Sequence, residues 1–300
     1  MIDHIGELAA FGTAVSWTVA ALIMENAVRR VGVMAVNTLK VAFGSVYLLA
    51  LAFIATGYPL PAGLTSSAWT FLAASGLVGF VIGDYFLLHA YSWIGSRLSM
   101  LVMSLSVPFT AIGAFLVFGE KPGPWSLAGM ALCVGGISLA VVSGNRGAPS
   151  GTPAEPGRYR LGVLYGVLSA VAMAAATLLT KAGAKGVNTI YATQVRIASA
   201  LVGFLLFALA TGKLGEVGKA IRNRTALPLI ATAAIFGPFV GVGLLLFAIQ
   251  NANAGVVSTL SSLSPILIIP PSVIIFRRKV APLAILGAVL AVAGLALFFV

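Results

Sequence analysis

The chain has 300 residues, of which 60% are hydrophobic and only 8% are charged. A water-soluble protein of this length normally carries charge on about a quarter of its residues, so 18 Lys+Arg and 7 Asp+Glu are too few to cover one. The formal net charge of +11 does not indicate nucleic-acid binding, because the basic residues lie in short clusters between apolar runs. The composition therefore predicts an integral membrane protein.

Apolar runs of about 20 residues, the length that crosses the hydrocarbon of a bilayer, recur along the chain. We predict membrane spans near 7–27, 33–56, 67–91, 97–118 and 124–143, and a second set near 161–183, 188–211, 226–249, 255–276 and 281–299. The intervening segment is rich in Gly, Pro and charge and is predicted to be a linker. The predicted domains are a first five-span repeat at 1–143, a linker at 144–160 and a second repeat at 161–300.

The two sets resemble each other, which indicates an internal duplication. Gly79-xxx-Gly83 in the third run corresponds to Gly237-xxx-Gly241 in the eighth. Because each set contains an odd number of spans, the second half must be inverted relative to the first, an arrangement typical of secondary transporters. The predicted fold class is therefore an all-α membrane protein with ten transmembrane helices in two inverted five-helix repeats.

Several segments carry a resemblance to a known family. In the first half these are GDYFLLHAY (83–91), FGEK (118–121) and LAGMALCVGGISLAV (127–141); in the second they are LLLFAIQNANAGVVSTLSSLSPIL (244–267) and LGAVLAVAGLAL (286–297). Together they resemble the EamA family of the drug/metabolite transporter (DMT) superfamily. The resemblance implies a transporter of small metabolites, often directed outward, with a cavity walled by spans 1, 3, 4, 6, 8 and 9. The chain departs from the family at Arg277-Arg278, where Gly-Glu is usual, which leaves Glu120 without a symmetry mate.

The basic residues favour one orientation in the membrane. Three of the 18 Lys+Arg residues fall in loops on the same side as both termini, 13 fall in the opposite loops, and two lie within spans. The positive-inside rule then places the termini outside, whereas the family resemblance implies termini inside. We expect a multi-pass protein of the cell (inner) membrane and favour the charge count, because an inverted repeat permits relatives of opposite orientation.

Lys40, Asp84 and Arg196 lie well inside predicted spans, away from the span ends, and an ionisable residue costs at least about 2.5 kcal/mol at the helix centre. Lys40 and Asp84 fall at similar depths and could form an ion pair, either a structural one or one that serves a substrate or proton. Arg196 occupies the repeat position of Lys40, but Val242 replaces the acid in its half. Arg196 therefore either reaches Glu120 or backbone carbonyls, or presents a cation to an anionic substrate group such as a carboxylate.

Uncharged polar residues in the spans form a second group of candidates. Trp17 lies mid-span, where its indole N–H needs a partner, so it either lines a wet cavity or packs between helices. Ser104 and Ser106 precede Pro108, and a similar serine cluster precedes Pro265. These hydroxyls either satisfy carbonyls that the prolines free or line the solute route.

Polar side chains next to these positions could hydrogen-bond a solute. They are Tyr85, Gln250 and Asn251, and the last two could instead cap the eighth helix. The predicted substrate-binding or cavity residues are Trp17, Lys40, Asp84, Tyr85, Ser104, Ser106, Arg196, Gln250, Asn251, Ser258, Ser261 and Ser262.

Motifs for nucleotide, metal or nucleophile chemistry do not occur: the sequence has no Walker loop, HExxH, Cys/His metal spacing or GxSxG. We therefore expect no cofactor, no metal and no ATP hydrolysis; the expected partners are a small-molecule solute, the lipid bilayer and a coupling proton or ion. The leading hypothesis is a secondary transporter that exports a small polar or amphipathic metabolite by alternating access. The alternatives are a flippase for a lipid-linked substrate and, less favoured, a membrane-embedded enzyme using Asp84 and His89, which point to different faces of one helix.

Overall fold

The computed structural model describes residues 4–61, 63–144, 156–251, 260–261, 263–274 and 280–297. Within these ranges all regular secondary structure is helical. The first half contains α1 (Ile5–Val31), α2 (Val33–Thr56), α3 (Ser66–Gly76), a first π-helix (Leu77–Asp84), α4 (Tyr85–Met103), α5 (Ser106–Phe118) and α6 (Pro124–Gly144). The second contains α7 (Pro156–Gly183), α8 (Thr189–Ala210), α9 (Leu214–Arg222), α10 (Ala226–Ala234), a second π-helix (Ile235–Gly241), α11 (Val242–Asn251), α12 (Ser264–Leu267), α13 (Ile269–Ile274) and α14 (Pro282–Ala296).

The helices have the lengths and composition of membrane spans. In the described ranges, seven are long and apolar enough to cross a bilayer, and shorter apolar helices cover 106–118, 264–274 and 282–296. The prediction of a multi-pass membrane protein is confirmed. The linker bounds stay a prediction; α6 ends at Gly144 and α7 begins at Pro156, a residue well suited to the first helical position. Residues 145–155, most of the linker, lie outside the described ranges, as do Arg277 and Arg278.

The longest helical stretch, Ser66–Met103, has 38 residues, nearly twice the roughly 20 residues needed for one crossing of the membrane. Gly95 interrupts it with φ 77° and ψ 160°, a backbone conformation open to glycine. Beyond the break, the backbone N–H and hydroxyl of Ser96 donate to Glu25 Oε2 over 2.9 and 2.6 Å. Glu25 is 1% exposed and its Oε1 accepts from Arg29 over 3.1 Å. This carboxylate, absent from the sequence-based candidates, caps the restarted helix and joins it to α1.

The two halves pack against each other in a reciprocal way. The first helix of the first half, α1, lies along α10, the second π-helix and α11; its counterpart α7 lies along α3, the first π-helix and α4. In addition α2 packs on α8, and α6 packs on α14. This exchange of equivalent contacts is the one expected of a duplicated bundle.

Small residues bring α6 and α14 into backbone contact. A Cβ at Gly136 would lie 2.5 Å from the Ala291 nitrogen and 2.6 Å from the Gly287 oxygen. A Cβ at Gly294 would lie 2.5 Å from the Cys133 nitrogen. Because helices in lipid gain stability mainly from close packing, these positions hold α6 and α14 together.

Basic residues gather at one end of the bundle. There α9, a short amphipathic helix, packs on α1 and α2 through buried Val217 and Ala220 and leaves Lys219 and Arg222 exposed. Lys213, just before α9, acts electrostatically on His89 near the Gly95 break. Several of the loops that the sequence predicts to lie on one side of the membrane therefore come together at this end of the bundle.

Candidate functional site

A buried ion pair joins α2 to the end of the first π-helix. Lys40 Nζ lies 2.5 Å from Asp84 Oδ2, and the two residues are 7% and 6% exposed. One turn before Lys40, Asn37 Nδ2 donates to the Asp84 backbone oxygen over 3.4 Å. Asn37 Oδ1 is buried and has no hydrogen-bond partner among the described residues. The ion pair anticipated from the sequence is present, and an unsatisfied polar atom lies beside it.

Arg196 approaches the same region from α8. Its guanidinium stacks on the Phe80 ring at 5.4 Å, and its Nη2 would lie 3.8 Å from a Cβ placed on Gly79. Asp84 exerts an attractive electrostatic effect on Arg196, but in the described part of the chain no carboxylate lies within 4.0 Å of it. Arg196 Nε is buried without a hydrogen-bond partner there. Asp84 therefore pairs with Lys40 and makes no ion pair with Arg196.

Glu120, proposed above as a partner for Arg196, instead pairs with Lys181 of α7 over 2.5 Å. The expectation of an Arg196–Glu120 contact is therefore wrong. Glu120 follows the end of α5, where Lys181 reaches it and also lies 5.3 Å from the Phe118 ring. The pair is 51% and 49% exposed and ties the two halves together.

A cavity of about 370 Å³ lies beside this pair, between α5 and α7. Its lining is Ser106, Val107, Thr110, Ala111, Ala114, Glu120, Thr177, Leu178 and Lys181. The lining is mostly apolar, and the hydroxyls of Thr110 and Thr177 donate to backbone carbonyls of their own helices. The carboxylate of Glu120 and the ammonium of Lys181 are the charged groups of the lining and join the two halves. Ser106 is the one predicted cavity residue found in this lining.

The two π-helices occupy equivalent positions in the two halves, and each contains the Gly-xxx-Gly pair noted in the sequence. π-helical turns are rare and concentrate at functional sites. In the first, Gly79 and Gly83 face Ala176 and Ala172 of α7, as close packing predicts. Neither π-helix was predicted from the sequence.

Residues of α1 hold the second π-helix. Ser16 Oγ donates to the Phe236 oxygen over 2.6 Å, and Thr13 Oγ1 lies 3.5 Å from the Gly241 oxygen. A Cβ on Gly241 would lie 2.5 Å from Trp17 Nε1, so the indole packs directly on the helix backbone. This contact is the one that the packing interpretation of Trp17 predicts, and its lining of a solute cavity stays a prediction.

The proline-associated hydroxyls bond to backbone carbonyls. Ser264 Oγ lies 3.3 Å from the oxygen of Ser261, four residues before Pro265, and 3.1 Å from the Ala14 oxygen. This contact agrees with the interpretation that a hydroxyl satisfies a carbonyl to which proline cannot donate. Ser104 Oγ donates to the Met100 oxygen over 3.2 Å, a carbonyl that Pro108 does not affect. Ser258 and Ser262 lie outside the described residues.

Two further candidate residues, Tyr85 and Asn251, make contacts with groups other than the Lys40–Asp84 pair. The Tyr85 ring packs on His89 and Phe207 at centroid distances of 4.6 and 5.3 Å. Asn251 Nδ2 donates to the Phe247 oxygen over 2.8 Å, within its own helix. The side chain of Gln250 lies outside the described part of the structure.

His89 belongs to an aromatic cluster. Its ring lies 5.7 Å from both Trp93 and Tyr165, in addition to the Tyr85 contact. In the described part of the chain His89 and Asp84 make no hydrogen bond or ion pair with each other, so the packing offers no support for an acid–base pair. Among the described residues there is no group of three or more His, Cys, Asp or Glu placed to hold a metal.

Comparison with known proteins identifies the family. A profile described as the EamA-like transporter family matches residues 4–142 and 160–300. The chain belongs to this family. A crystal structure described only as that of a protein covers 97% of this EamA-like chain and 95% of its own, with a TM-score of 0.64 and 19% identity, so the two share a fold. No curated protein sequence matches this chain significantly.

Proposed function

We propose that this EamA-like protein is a secondary transporter that moves a small polar or amphipathic metabolite outward across the cell membrane by alternating access, without ATP hydrolysis. In this proposal the chain crosses the membrane ten times, as two inverted repeats at 1–143 and 161–300. Family membership and the reciprocal contacts between the halves support it. The cavity between α5 and α7 has a carboxylate and an ammonium in its lining, which favours a small solute with polar groups over a lipid-linked one.

Arg196 is the observation that carries the proposal. A cation among spans, with its Nε buried and no carboxylate contact in the described part of the chain, is costly, and such residues in membranes mark substrate or ion pathways. Lys40 is neutralised by Asp84, so the region retains a net positive charge from Arg196. We therefore assign an anionic group, such as a carboxylate, to the transported solute.

The charged residues lie apart from two cavities of similar size. Lys40, Asp84 and Arg196 line neither the α5–α7 cavity nor a second, apolar cavity. In the proposed cycle, rocking of the halves extends the α5–α7 cavity inward to Arg196 and then opens it at the other end. The paired π-helices lie at the interface that such rocking must rearrange.

Replacing Arg196 with alanine is expected to lower uptake of an anionic solute by about 10- to 100-fold, the equivalent of one charged hydrogen bond. The measurement is exchange of labelled metabolites, grouped by charge, in proteoliposomes. Arg196→Lys should retain part of the activity, because it keeps the charge without the guanidinium fork. Arg160→Ala, at an exposed arginine, is the matched control and should match wild type.

Equal rates for Arg196→Ala and wild type with an anionic solute would refute the assigned role of Arg196. Failure of the wild-type protein to exchange any labelled metabolite would refute the transport function itself. The two failures are separable because the second appears without any mutation.

The Glu120–Lys181 pair should restrain opening at its end of the bundle. A half-exposed pair contributes about 0.2–1 kcal/mol, so Glu120→Gln or Lys181→Gln should change the exchange rate by no more than about fivefold. The charge-swapped double variant, Glu120→Lys with Lys181→Glu, should return the rate towards wild type. Lys185→Gln, at a nearby exposed lysine, is the control; a double variant no better than the single ones would exclude the pair as a restraint.

A further inference from the structure

The second cavity, of about 370 Å³, is an apolar groove between α1 and the helices of the second half. Its lining is Val15, Thr18, Val19, Leu22, Ile23, Asn26, Leu229, Leu267 and Pro271. Most of the α1 members recur every three or four residues and so form one stripe along the helix. Val15 is 39% exposed, which opens the groove to the surroundings of the bundle, and around a membrane span those surroundings are acyl chains.

The length of the stripe matches one leaflet of a bilayer. From Val15 to Asn26 the helix rises roughly 16 Å, at 1.5 Å per residue. The hydrocarbon of one leaflet is about 15 Å thick, half of the full core. A single acyl chain aligned with α1 would therefore run along the whole groove from the bilayer middle to its surface.

A basic group marks the surface end of the stripe. Arg30 lies one turn beyond Asn26, and its Nε donates to Asn26 Oδ1 over 3.0 Å. The Arg30 side chain is exposed, and in the described part of the chain it makes no ion pair. This is also the end where α9 presents exposed Lys219 and Arg222 and packs on α1. An apolar slot of leaflet length thus ends at an exposed cation that has no ion-pair partner among the described residues.

We propose that this groove is a binding site for one anionic phospholipid of the surrounding bilayer, with an acyl chain along Val15–Asn26 and its phosphate-bearing headgroup on Arg30. Basic side chains between helices at a membrane surface bind anionic headgroups in this manner. The site is separate from Arg196 and from the α5–α7 cavity. It holds whether or not the transported solute is anionic.

Native mass spectrometry of the purified protein in detergent, titrated with phosphatidylglycerol or phosphatidylcholine, tests the site. Wild type should bind one phosphatidylglycerol at least about fivefold more tightly than phosphatidylcholine, the effect expected of one basic group near a lipid surface. Arg30→Gln should bring the two lipids to near-equal affinity, whereas Arg160→Gln, another exposed arginine, should preserve the preference.

Filling the groove is the complementary test. Val19→Trp should weaken binding of both lipids, and Val46→Trp, at a 60% exposed valine of α2, should leave binding unchanged. Equal binding of the two lipids by wild type, or an unaltered preference in Arg30→Gln, would overturn the headgroup assignment. Equal losses of lipid binding in Val19→Trp and Val46→Trp would overturn the assignment of the groove as the acyl-chain site. Arg30→Gln alters only an exposed side chain, so it tests the headgroup assignment even if a tryptophan variant does not fold.

Discussion

The Asp84→Asn variant is expected to lose about 3–5 kcal/mol of unfolding free energy, the cost of removing one partner from a buried ion pair. The substitution keeps the size of the side chain but leaves the Lys40 ammonium uncompensated at 7% exposure. It also withdraws the attraction that Asp84 exerts on Arg196. Titration with denaturing detergent, followed by far-ultraviolet circular dichroism, measures the loss.

The double variant Lys40→Met with Asp84→Asn should recover much of that stability, because it removes both charges together. Glu216→Gln, which neutralises an exposed carboxylate of α9, should stay within about 0.5 kcal/mol of wild type. A single variant as stable as wild type would show that the Lys40–Asp84 pair contributes nothing to folding. A double variant no more stable than the single one would show that the Lys40–Asp84 pair does not stabilise the fold by charge compensation.

Gly136→Ala is expected to destabilise the protein by about 3 kcal/mol or more, at or above the upper end of the usual cost of overpacking. The added methyl would overlap backbone atoms of Ala291 and Gly287, which cannot turn aside as a flexible side chain does. The α6 and α14 helices would have to separate and lose their close contact. The same detergent titration gives the free-energy change.

The adjacent glycine supplies a matched control. A Cβ at Gly135 would meet no atom within 4 Å. Gly135→Ala should therefore be neutral or stabilising by up to about 1 kcal/mol, since alanine is the better helix former. If the Gly136 and Gly135 variants differ by less than about 0.5 kcal/mol, the backbone contact between α6 and α14 is not a determinant of stability.

Much of the fold follows from the sequence because a bilayer imposes a simple length rule on apolar segments. The predicted boundary between the third and fourth runs, 91–97, contains the observed break at Gly95. The sequence pattern could not show that the helix resumes at once, because that restart depends on Glu25, which is remote in the chain. Hydropathy records burial from water, and it does not record which carboxylate satisfies which backbone N–H.

The candidate site was only partly predictable, for a related reason. Lys40 and Asp84 attract attention because charges in hydrocarbon are costly, and depth alone then places them together. Glu120 and Lys181 belong to different halves, and the packing of α5 on α7 brings them together. The π-helices differ from α-helices only in which carbonyl accepts each hydrogen bond, a property to which apolar periodicity is insensitive.

The first π-helix and the buried ion pair depend on each other geometrically. Asp84 is the last residue of Leu77–Asp84, so tightening those wide turns to ordinary α-helical ones would change the angular position of its carboxylate. A shift of one residue in an α-helix corresponds to about 100° of rotation and 1.5 Å of rise, which would carry Asp84 Oδ2 out of reach of Lys40. We therefore expect the salt bridge to oppose rotation of this segment, whereas the opposite half has Val242 in the equivalent place, which cannot form such a pair.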